Sequence, residues 1–335
     1  MKIVLLIGGA SPEREVSKES CKSLYQALCN LGHETILVDP ALGKNQFNNA
    51  EDYFSDNDDS IVSEKNYLNC LNFEDSKSID LVFNGLHGEF GEDGRIQALL
   101  DLAGIPYTGA GVLASSLAMD KEASKIMFKH FGVNTAEWIL FVVGKDEVEK
   151  TNQKIKESFG YPCIVKPNNQ GSTIGLSFCN SSEELDSAIE LAGKYSKKII
   201  IEEYINGVEI AVGILGDLEL PLCKITPKNL LYDYECKYTD GMSEYEVPAK
   251  ISEELTAFLK EQARLAYKAV ECESYGRVDF LVRRTDNKPF CLEVNTLPGM
   301  TSHSLVPKMA KAGGLSFEQM VSFIIEDAMH EARKK

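Results

Sequence analysis

Residues 276–304 read GRVDFLVRRTDNKPFCLEVNTLPGMTSHS, and this stretch decides the fold of the C-terminal half. In its first part the polar residues Arg277 and Asp279 alternate with apolar ones, which is typical of a strand because successive side chains point to opposite faces. A turn signal, TDNKP, leads into a second strand in which Glu293 and Asn295 share a face. The sequence therefore predicts a hairpin with one arginine, two carboxylates and a carboxamide on one face.

The polar face of this hairpin has two interpretations. It can be the solvated side of a sheet, which is the ordinary role of polar residues in strands. Alternatively, Asp279, Glu293 and Asn295 supply the oxygen ligands that Mg2+ prefers when it is shared with substrate phosphates. The turn at 296–304 favours the second interpretation, because its backbone and hydroxyl donors suggest an anion held beside a cation.

The composition limits the classes of protein. The chain has 335 residues with 44% hydrophobic content, enough for two or three domains with their own cores. The 35 basic and 51 acidic side chains give a formal charge of −16, which argues against nucleic acid as a partner. The nine cysteines form no C-x-x-C pair, and no apolar run is long enough for a membrane span. A cytoplasmic protein with reduced thiols and no membrane partner is expected.

The N-terminus reads as a βαβ unit, with strands at 3–7 and 34–38 around a helix that ends at Gly32. This opening is typical of dinucleotide-binding domains, but the G-x-G-x-x-G spacing is absent and charged residues stand where a pyrophosphate would need bare backbone. Glu15, near the start of the helix, has two interpretations. It can complement the helix dipole, or it can face a ligand's ammonium group.

Two loops and one helix in the following region are notable. The glycine-rich loop 84–94 contains His87 and either is a tight strand-to-helix connection or approaches a ligand closely. Residues 115–131 are predicted to form one helix, which carries Lys121. Lys166 ends a short buried strand and precedes a Gly/Ser/Thr loop, the reverse of the P-loop order. Such a loop can cover phosphates with its N–H groups while the lysine supplies a positive charge.

The strand at 198–204 ends in carboxylates, with Glu209 shortly after it. Glu202 and Glu203 can form an exposed strand end. Alternatively, they can belong to a hinge that binds adenosine, with Glu209 accepting hydrogen bonds from the ribose hydroxyls. The polar, aromatic segment 231–239 is predicted to be a binding loop.

The motifs GGASPEREVS, LHGEFGEDGRIQ, MDK, IVKPNNQGSTIG, YDYECKY, GRVDF and LEVNTLPGMTSHSLVP occur in this order. Together they resemble those of the D-alanine–D-alanine ligase family in the ATP-grasp superfamily, over nearly the whole chain except residues 44–66. The resemblance implies an α/β fold, with α+β character in the grasp domains, that holds ATP between two of three domains. These are an N-terminal Rossmann-like domain at 1–118, a central ATP-grasp subdomain at 119–205 and a C-terminal ATP-grasp subdomain at 206–335.

The resemblance also implies the residues of a nucleotide site. Asp279, Glu293 and Asn295 would bind two Mg2+ ions, with Mn2+ as a substitute, which agrees with the face predicted from the strand alternation. The positions that match the family's ATP contacts are Lys121, Lys166, Gly171, Ser172, Thr173, Glu202, Glu203, Ile205, Glu209 and Lys237.

For the amino-acid site, the resemblance implies that Glu15 holds the ammonium of the first D-alanine, with His87 nearby. Arg277 and the backbone of Gly299 would stabilise a tetrahedral intermediate. The remaining expected contacts are the acceptor's carboxylate site at Ser304 and Leu305, the acceptor-selecting Tyr232, and a hydrogen-bonded trio of Tyr238, Ser172 and Glu15.

The implied reaction is the joining of two D-alanine molecules with ATP through a D-alanyl phosphate, for the synthesis of peptidoglycan precursors. The family is usually a homodimer and is inhibited by D-cycloserine, so both properties are expected. Three alternatives stay open at this point: a D-alanine–D-lactate or D-serine ligase, another carboxylate–amine ligase of the superfamily, and a nucleotide-binding regulator without catalysis.

Overall fold

The computed structural model describes residues 1–55, 61–70, 78–229, 239, 241–301 and 304–332. The described part of the chain contains a three-stranded, a four-stranded and a six-stranded sheet, which follow one another along the sequence. Within these residues, no helix combines the length and apolar character that a membrane span requires.

The first sheet is parallel, with the order β2-β1-β3. Its central strand pairs through Ile3 with Thr35 on one side and Leu81 on the other. Four of its five residues are buried, as expected for a strand covered on both faces. The elements of this part are β1 (Lys2–Leu6), α1 (Arg14–Asn30), β2 (Glu34–Val38), α2 (Ala50–Tyr53), β3 (Leu81–Asn84), α3 (Arg95–Ala103) and α4 (Val112–Met119).

The second sheet is antiparallel, with the order β4-β7-β5-β6. Its inner strands β5 and β7 pair with Lys166 opposite Ile200, so the strand that ends near the Gly/Ser/Thr loop lies in the middle of the sheet. The elements are α5 (Lys121–His130), β4 (Trp138–Val142), α6 (Val148–Ser158), β5 (Cys163–Pro167), β6 (Ser177–Cys179), α7 (Leu185–Gly193) and β7 (Lys198–Glu203).

The third sheet has the order β11-β10-β8-β12-β13, and β9 pairs with β8. Helix α8 begins after Ser252, whose side chain accepts a hydrogen bond from the Leu255 N–H and caps the helix as the sequence predicts. The elements are β8 (Gly207–Leu215), β9 (Leu218–Glu219), β10 (Cys223–Pro227), β11 (Ser243–Glu246), α8 (Glu253–Ala269), β12 (Tyr275–Arg283), β13 (Pro289–Asn295), α9 (Leu305–Ala312) and α10 (Phe317–Ala332).

The predicted hairpin is confirmed as strands β12 and β13. Arg277 pairs with Asn295 and Asp279 with Glu293, so these four side chains project from one face. The register then shifts, and Phe280 pairs with Cys291. This bulge is the irregularity that lets the adjacent residues Leu292 and Glu293 both line one cavity, which strict alternation would forbid.

The predicted single helix over 115–131 is wrong, because the structure divides this region into α4 and α5. Asp120 has extended backbone angles, and its carboxylate accepts a hydrogen bond from the Ala123 N–H 2.9 Å away, which caps α5. Lys121 therefore lies at the first position of a helix rather than in the middle of one.

The last helix of the chain packs against the first sheet. Met320 and Ile324 of α10 belong to the same buried cluster as Leu5 of β1 and Leu24 of α1. This packing joins the two ends of the sequence in one core. The boundaries predicted at 118 and 205 stay predictions.

Candidate active site

A cavity of about 520 Å3 lies between the second and third sheets. Strands from both sheets and the loop after β5 contribute its walls. The sequence-predicted residues that line it are Lys121, Lys166, Gly171, Ser172, Thr173, Glu202, Glu203, Ile205, Glu209, Arg277, Asp279 and Glu293. One cavity thus brings together the described members of the predicted nucleotide and metal sites except Asn295.

Glu202 is held between two lysines at the base of this cavity. Its carboxylate oxygens lie 2.6 Å from Lys166 Nζ and 2.9 Å from Lys125 Nζ. Burial alone would raise the pKa of Glu202, but the two ammonium groups outweigh it and lower the pKa to about 2. The triad therefore keeps one net positive charge beside the cavity, which suits a polyphosphate.

Lys125 is a component that the sequence analysis missed. It is 1% exposed, and its ammonium group also donates to Thr135 Oγ1 at 2.8 Å and to the Ala136 carbonyl at 3.1 Å. The sequence could have indicated Lys125 through its position four residues after Lys121, because this spacing places both lysines on one face of α5.

The loop over the cavity is fixed in an uncommon conformation. Ser172 and Thr173 have φ values of 47° and 61°, in the left-handed region that non-glycine residues seldom adopt. Lys121 Nζ donates to the Gln170 carbonyl at 2.7 Å and lies 3.5 Å from a Glu293 oxygen. One lysine thus connects the loop to the carboxylate face of the hairpin.

That face fits a cation shared with a ligand. Arg277 donates to both oxygens of Asp279, at 2.7 and 2.9 Å, and each oxygen keeps a further lone pair. The Asn295 Oδ1 atom is buried and lacks a hydrogen-bond partner among the described residues. In the same part of the chain, no three His, Cys, Asp or Glu side chains form a complete metal site by themselves. Two carboxylates and one orphaned amide oxygen suit a metal whose other ligands come from a substrate.

A second cavity of about 410 Å3 adjoins the first. Four residues line both cavities: Gly171, Ser172, Arg277 and Glu293. The two cavities therefore meet at these residues. The predicted residues that line the second cavity are Glu15, His87, Ser172, Arg277, Glu293, Asn295, Gly299, Ser304 and Leu305.

The prediction that Glu15 contacts Ser172 is wrong, because Glu13 makes this contact. The Ser172 hydroxyl donates a hydrogen bond to Glu13 Oε1, and a Cβ on Gly171 would lie 2.9 Å from the other oxygen. Glu13 precedes α1 and is 7% exposed. Glu15 lies in the first turn, where its side chain is 62% exposed, 3.3 Å from Lys18 Nζ. The start of the helix at Arg14 turns one glutamate into the cleft and leaves the other at its rim.

Three successive backbone donors of the loop before α1 are already engaged within the protein. The N–H of Gly8 donates to Ser17 Oγ at 2.9 Å, that of Gly9 to Asp39 Oδ1 at 3.1 Å, and that of Ala10 to the Tyr67 hydroxyl oxygen at 3.1 Å. This occupancy agrees with the rejection of a dinucleotide site.

His87 connects the loop 84–94 to two other parts of the second cavity. Its Nε2 lies 3.1 Å from Ser20 Oγ, and the ring also forms a hydrogen bond with the Leu297 backbone. Burial lowers the pKa of His87 to about 4, so the imidazole is neutral at pH 7. Of the two interpretations of this loop, the structure supports close approach to a cavity.

The loop contributes Glu92 as well, a residue that the sequence analysis left unassigned. Glu92 Oε2 accepts a hydrogen bond from the Gly88 N–H at 2.7 Å. Burial, and then the nearby Glu13 carboxylate, raise the pKa of Glu92 well above its ordinary value. In the sequence, only the acidic character of the loop 84–94 could have indicated Glu92.

The turn after β13 is tightly built. A Cβ on Gly299 would lie 2.8 Å from Ser304 Oγ, so a larger residue would displace that hydroxyl. Ser304 Oγ accepts from the Thr301 N–H at 3.0 Å, and Ser304 precedes helix α9, whose first residue is Leu305. The turn therefore presents a helix N-terminus to the cavity.

Three predicted residues, Tyr232, Lys237 and Tyr238, lie outside the described residues. Their predicted contacts stay predictions.

The cleft lies between two antiparallel sheets and is lined with lysines and carboxylates, and a parallel sheet lies at its second cavity. This arrangement defines the ATP-grasp class of ATP-dependent ligases. Family models described as "D-ala D-ala ligase N-terminus" and "D-ala D-ala ligase C-terminus" match residues 2–110 and 127–326. The chain belongs to the D-alanine–D-alanine ligase family.

Individual relatives agree along their whole length. A D-alanine–D-alanine ligase of Halalkalibacterium halodurans is 43% identical over 97% of this chain and 98% of its own. The structure of the Bacillus anthracis ligase complexed with ATP is 30% identical, has a TM-score of 0.79 and matches 100% of this chain and 99% of its own. The VanG D-Ala:D-Ser ligase of Enterococcus faecalis is 31% identical with a TM-score of 0.79, over 98% and 99% of the two chains.

Proposed function

We propose that this protein joins two D-alanine molecules to D-alanyl-D-alanine, with ATP converted to ADP and phosphate, in the synthesis of peptidoglycan precursors. The observation that carries the proposal is the junction of two cavities at Ser172, Arg277 and Glu293. A nucleotide in the larger cavity and an amino acid in the smaller one would place the γ-phosphate beside a carboxylate.

The first step requires charge neutralisation. The carboxylate of the first D-alanine attacks the γ-phosphorus, the bond to the bridging oxygen breaks, and ADP leaves with the electron pair. Lys121 and Lys166 supply positive charge on the phosphate side. Asp279, Glu293 and Asn295 would hold Mg2+, or Mn2+ in its place, which neutralises phosphate charge when bound.

We assign the ammonium of the first D-alanine to Glu13 rather than to Glu15. Glu13 is buried, lies at the second cavity and contacts the phosphate loop through Ser172. A carboxylate in this position orients the amino acid so that its own carboxylate points to the junction, with His87 on the opposite loop.

The second step is attack by the amine of a second D-alanine on the acyl carbon of D-alanyl phosphate. The carbonyl oxygen becomes negatively charged and the nitrogen loses a proton. Phosphate then leaves with the electrons of the C–O bond when the tetrahedral intermediate collapses. Arg277 and the backbone of Gly299 supply positive charge and a hydrogen-bond donor at this place. Ser304 and the α9 N-terminus at Leu305 would bind the carboxylate of the second D-alanine.

The adenosine end would lie at the other side of the larger cavity. Glu202 and Glu203 at the end of β7, Ile205 in the segment that joins β7 to β8, and Glu209 in β8 all line this side of the cavity. We assign the adenine to this segment and the ribose hydroxyls to Glu209. Gly171, Ser172 and Thr173 would cover the phosphates, with Lys237 and Tyr238 closing the site from the loop that contains Tyr232.

A direct assay tests the proposal. The protein is incubated with Mg-ATP and D-alanine, alone or with D-serine or D-lactate, and the products are identified by mass spectrometry. D-alanyl-D-alanine as the main product is expected. A mixed dipeptide or depsipeptide as the main product would instead assign the acceptor site to D-serine or D-lactate. ADP release that no D-amino acid stimulates would refute the proposal.

Three further properties are proposed with this function. A homodimer is checked by light scattering. Inhibition by D-cycloserine, an analogue of D-alanine, is checked by its competition with D-alanine in the same assay. A cytoplasmic location, where ATP is made, is checked by cell fractionation.

A further inference from the structure

The segment 61–70 lies between two loops of the second cavity. It contains a short 3-10 turn, Glu64–Asn69. Asn66 Nδ2 donates to the Ala41 carbonyl at 2.7 Å, and the Ser63 N–H donates to the same oxygen at 3.0 Å. These bonds fix the segment to the 3-10 turn Pro40–Leu42 that follows β2, so the side chain after Asn66 has a defined position.

That side chain, Tyr67, is 5% exposed and contacts both loops. Its hydroxyl oxygen accepts the hydrogen bond from the Ala10 N–H at 3.1 Å. Its ring lies 5.3 Å from the Phe90 ring, centroid to centroid, with an angle of 42° between the planes. Ala10 belongs to the loop that ends in Glu13, and Phe90 to the loop that contains His87.

The second loop depends on this contact for its shape. Phe90 has a φ of 69°, an unfavourable value for a bulky residue, which persists only where the surroundings enforce it. Its N–H donates to Asp93 Oδ2 at 2.9 Å, and the Arg95 guanidinium lies 4.3 Å from its ring centroid. The Tyr67 ring adds a third constraint, from a different part of the chain.

We propose that Tyr67 is a positioning residue for the first amino acid, because it fixes the loop of Glu13 relative to the loop of His87. This role rests on the proposed function of the second cavity. Tyr67 touches neither cavity in the described structure, so it acts through Ala10 and Phe90.

The test isolates the first amino-acid site. Hydroxylamine replaces the second D-alanine: its nitrogen bonds to the acyl carbon of D-alanyl phosphate, a proton is released, and phosphate leaves with the electrons of the C–O bond. Hydroxamate formation then depends only on ATP and the first D-alanine. Y67F removes the acceptor of the Ala10 hydrogen bond but keeps the ring.

The matched control is Y53F. Tyr53 is also 5% exposed and, like Tyr67, lies between β2 and β3, but its hydroxyl donates to Gln46 Oε1 at 2.9 Å. We expect Y67F to raise the KM of D-alanine in the hydroxamate assay roughly fivefold, the effect of one lost hydrogen bond, without a change in the KM of ATP. Y53F should change neither constant.

Two results would overturn the role of Tyr67. One is an unchanged KM of D-alanine in Y67F. The other is a rise in the KM of D-alanine and the KM of ATP that is equal in Y67F and Y53F. Hydrogen exchange of the Ala10 amide provides a second readout and should be faster in Y67F than in Y53F. If the unaltered protein formed neither hydroxamate nor dipeptide, the proposed function would be refuted. In that case the exchange rate of the Ala10 amide still tests the hydrogen bond to Tyr67, and an unchanged rate in Y67F would refute it.

Discussion

The Ser172 hydroxyl donates a hydrogen bond to the Glu13 carboxylate, and this bond joins the Gly/Ser/Thr loop after β5 to the loop before α1. It links a residue that lines both cavities to a residue that lines only the second of them. Which of the two glutamates in the motif SPERE acts on the substrate can therefore be tested directly.

Glu13→Gln should lower kcat/KM for D-alanine roughly 10- to 100-fold, because it weakens a charge-assisted hydrogen bond to the ammonium group. Glu15→Gln is the matched control and should stay within about twofold of the unaltered enzyme, since solvent screens the Glu15 carboxylate, whose side chain is 62% exposed. The measurement is the initial rate of ADP release. A large loss in the Glu15 variant with none in the Glu13 variant would reverse the assignment.

Glu293→Gln should nearly abolish turnover and leave the thermal unfolding midpoint within a few degrees of the original. The variant keeps the shape of the side chain but removes a negative charge that faces Lys121 and the proposed cation. Glu219→Gln, at an exposed ion pair away from the cleft, is the control. Near-normal activity of the Glu293 variant in saturating Mg2+ would show that the metal assignment is wrong.

Lys125→Met should destabilise the fold by about 3 to 5 kcal/mol, because it leaves Glu202 buried with one of its two partners lost. Lys129→Met is a matched control on the same helix. Lys129 also pairs with a glutamate and lies over the Trp138 ring, but it is 47% exposed, so its loss should cost less than about 1 kcal/mol. Urea unfolding of both variants measures the difference, and equal losses would contradict the role of burial.

His87 should make stability depend on pH. Burial lowers the pKa of its imidazole from 6.5 to about 4, so between these values the unfolded chain binds a proton that the folded chain does not. This group therefore destabilises the fold as the pH falls from 6.5 to 4, by about 3 kcal/mol in total, and has a constant effect below pH 4. His87→Gln should reduce the slope of unfolding free energy against pH in this window. If NMR gave a titration midpoint near pH 6.5 for the His87 imidazole, this result would refute the prediction.

Much of the site could be predicted from local pattern. The alternation of Arg277, Asp279, Glu293 and Asn295 required only the two-residue period of a strand, and the structure confirms that they share a face. Leu292 could not be found in this way, because the bulge that turns it into the cavity depends on pairing between strands.

Other features depended on contacts that are distant in sequence. The distinction between Glu13 and Glu15 follows from the residue at which α1 begins, and helix boundaries are poorly determined by local pattern. The break at Asp120 was missed because the apolar spacing of α4 and α5 is nearly continuous. The role of Tyr67 could not be predicted, since its partners Ala10 and Phe90 are 57 and 23 residues away.

The packing of α10 on the first sheet affects how this chain can be made. Met320, Ile324 and Ile325 supply part of the core around Leu5 and Leu24, and a ribosome adds them long after these two residues. Strand β1, which is translated long before α10, therefore keeps one apolar side uncovered until α10 emerges from the exit tunnel. A nascent chain that stops before α10 exposes this surface and is a natural target for chaperones and proteases, so quality control of this core depends on one helix.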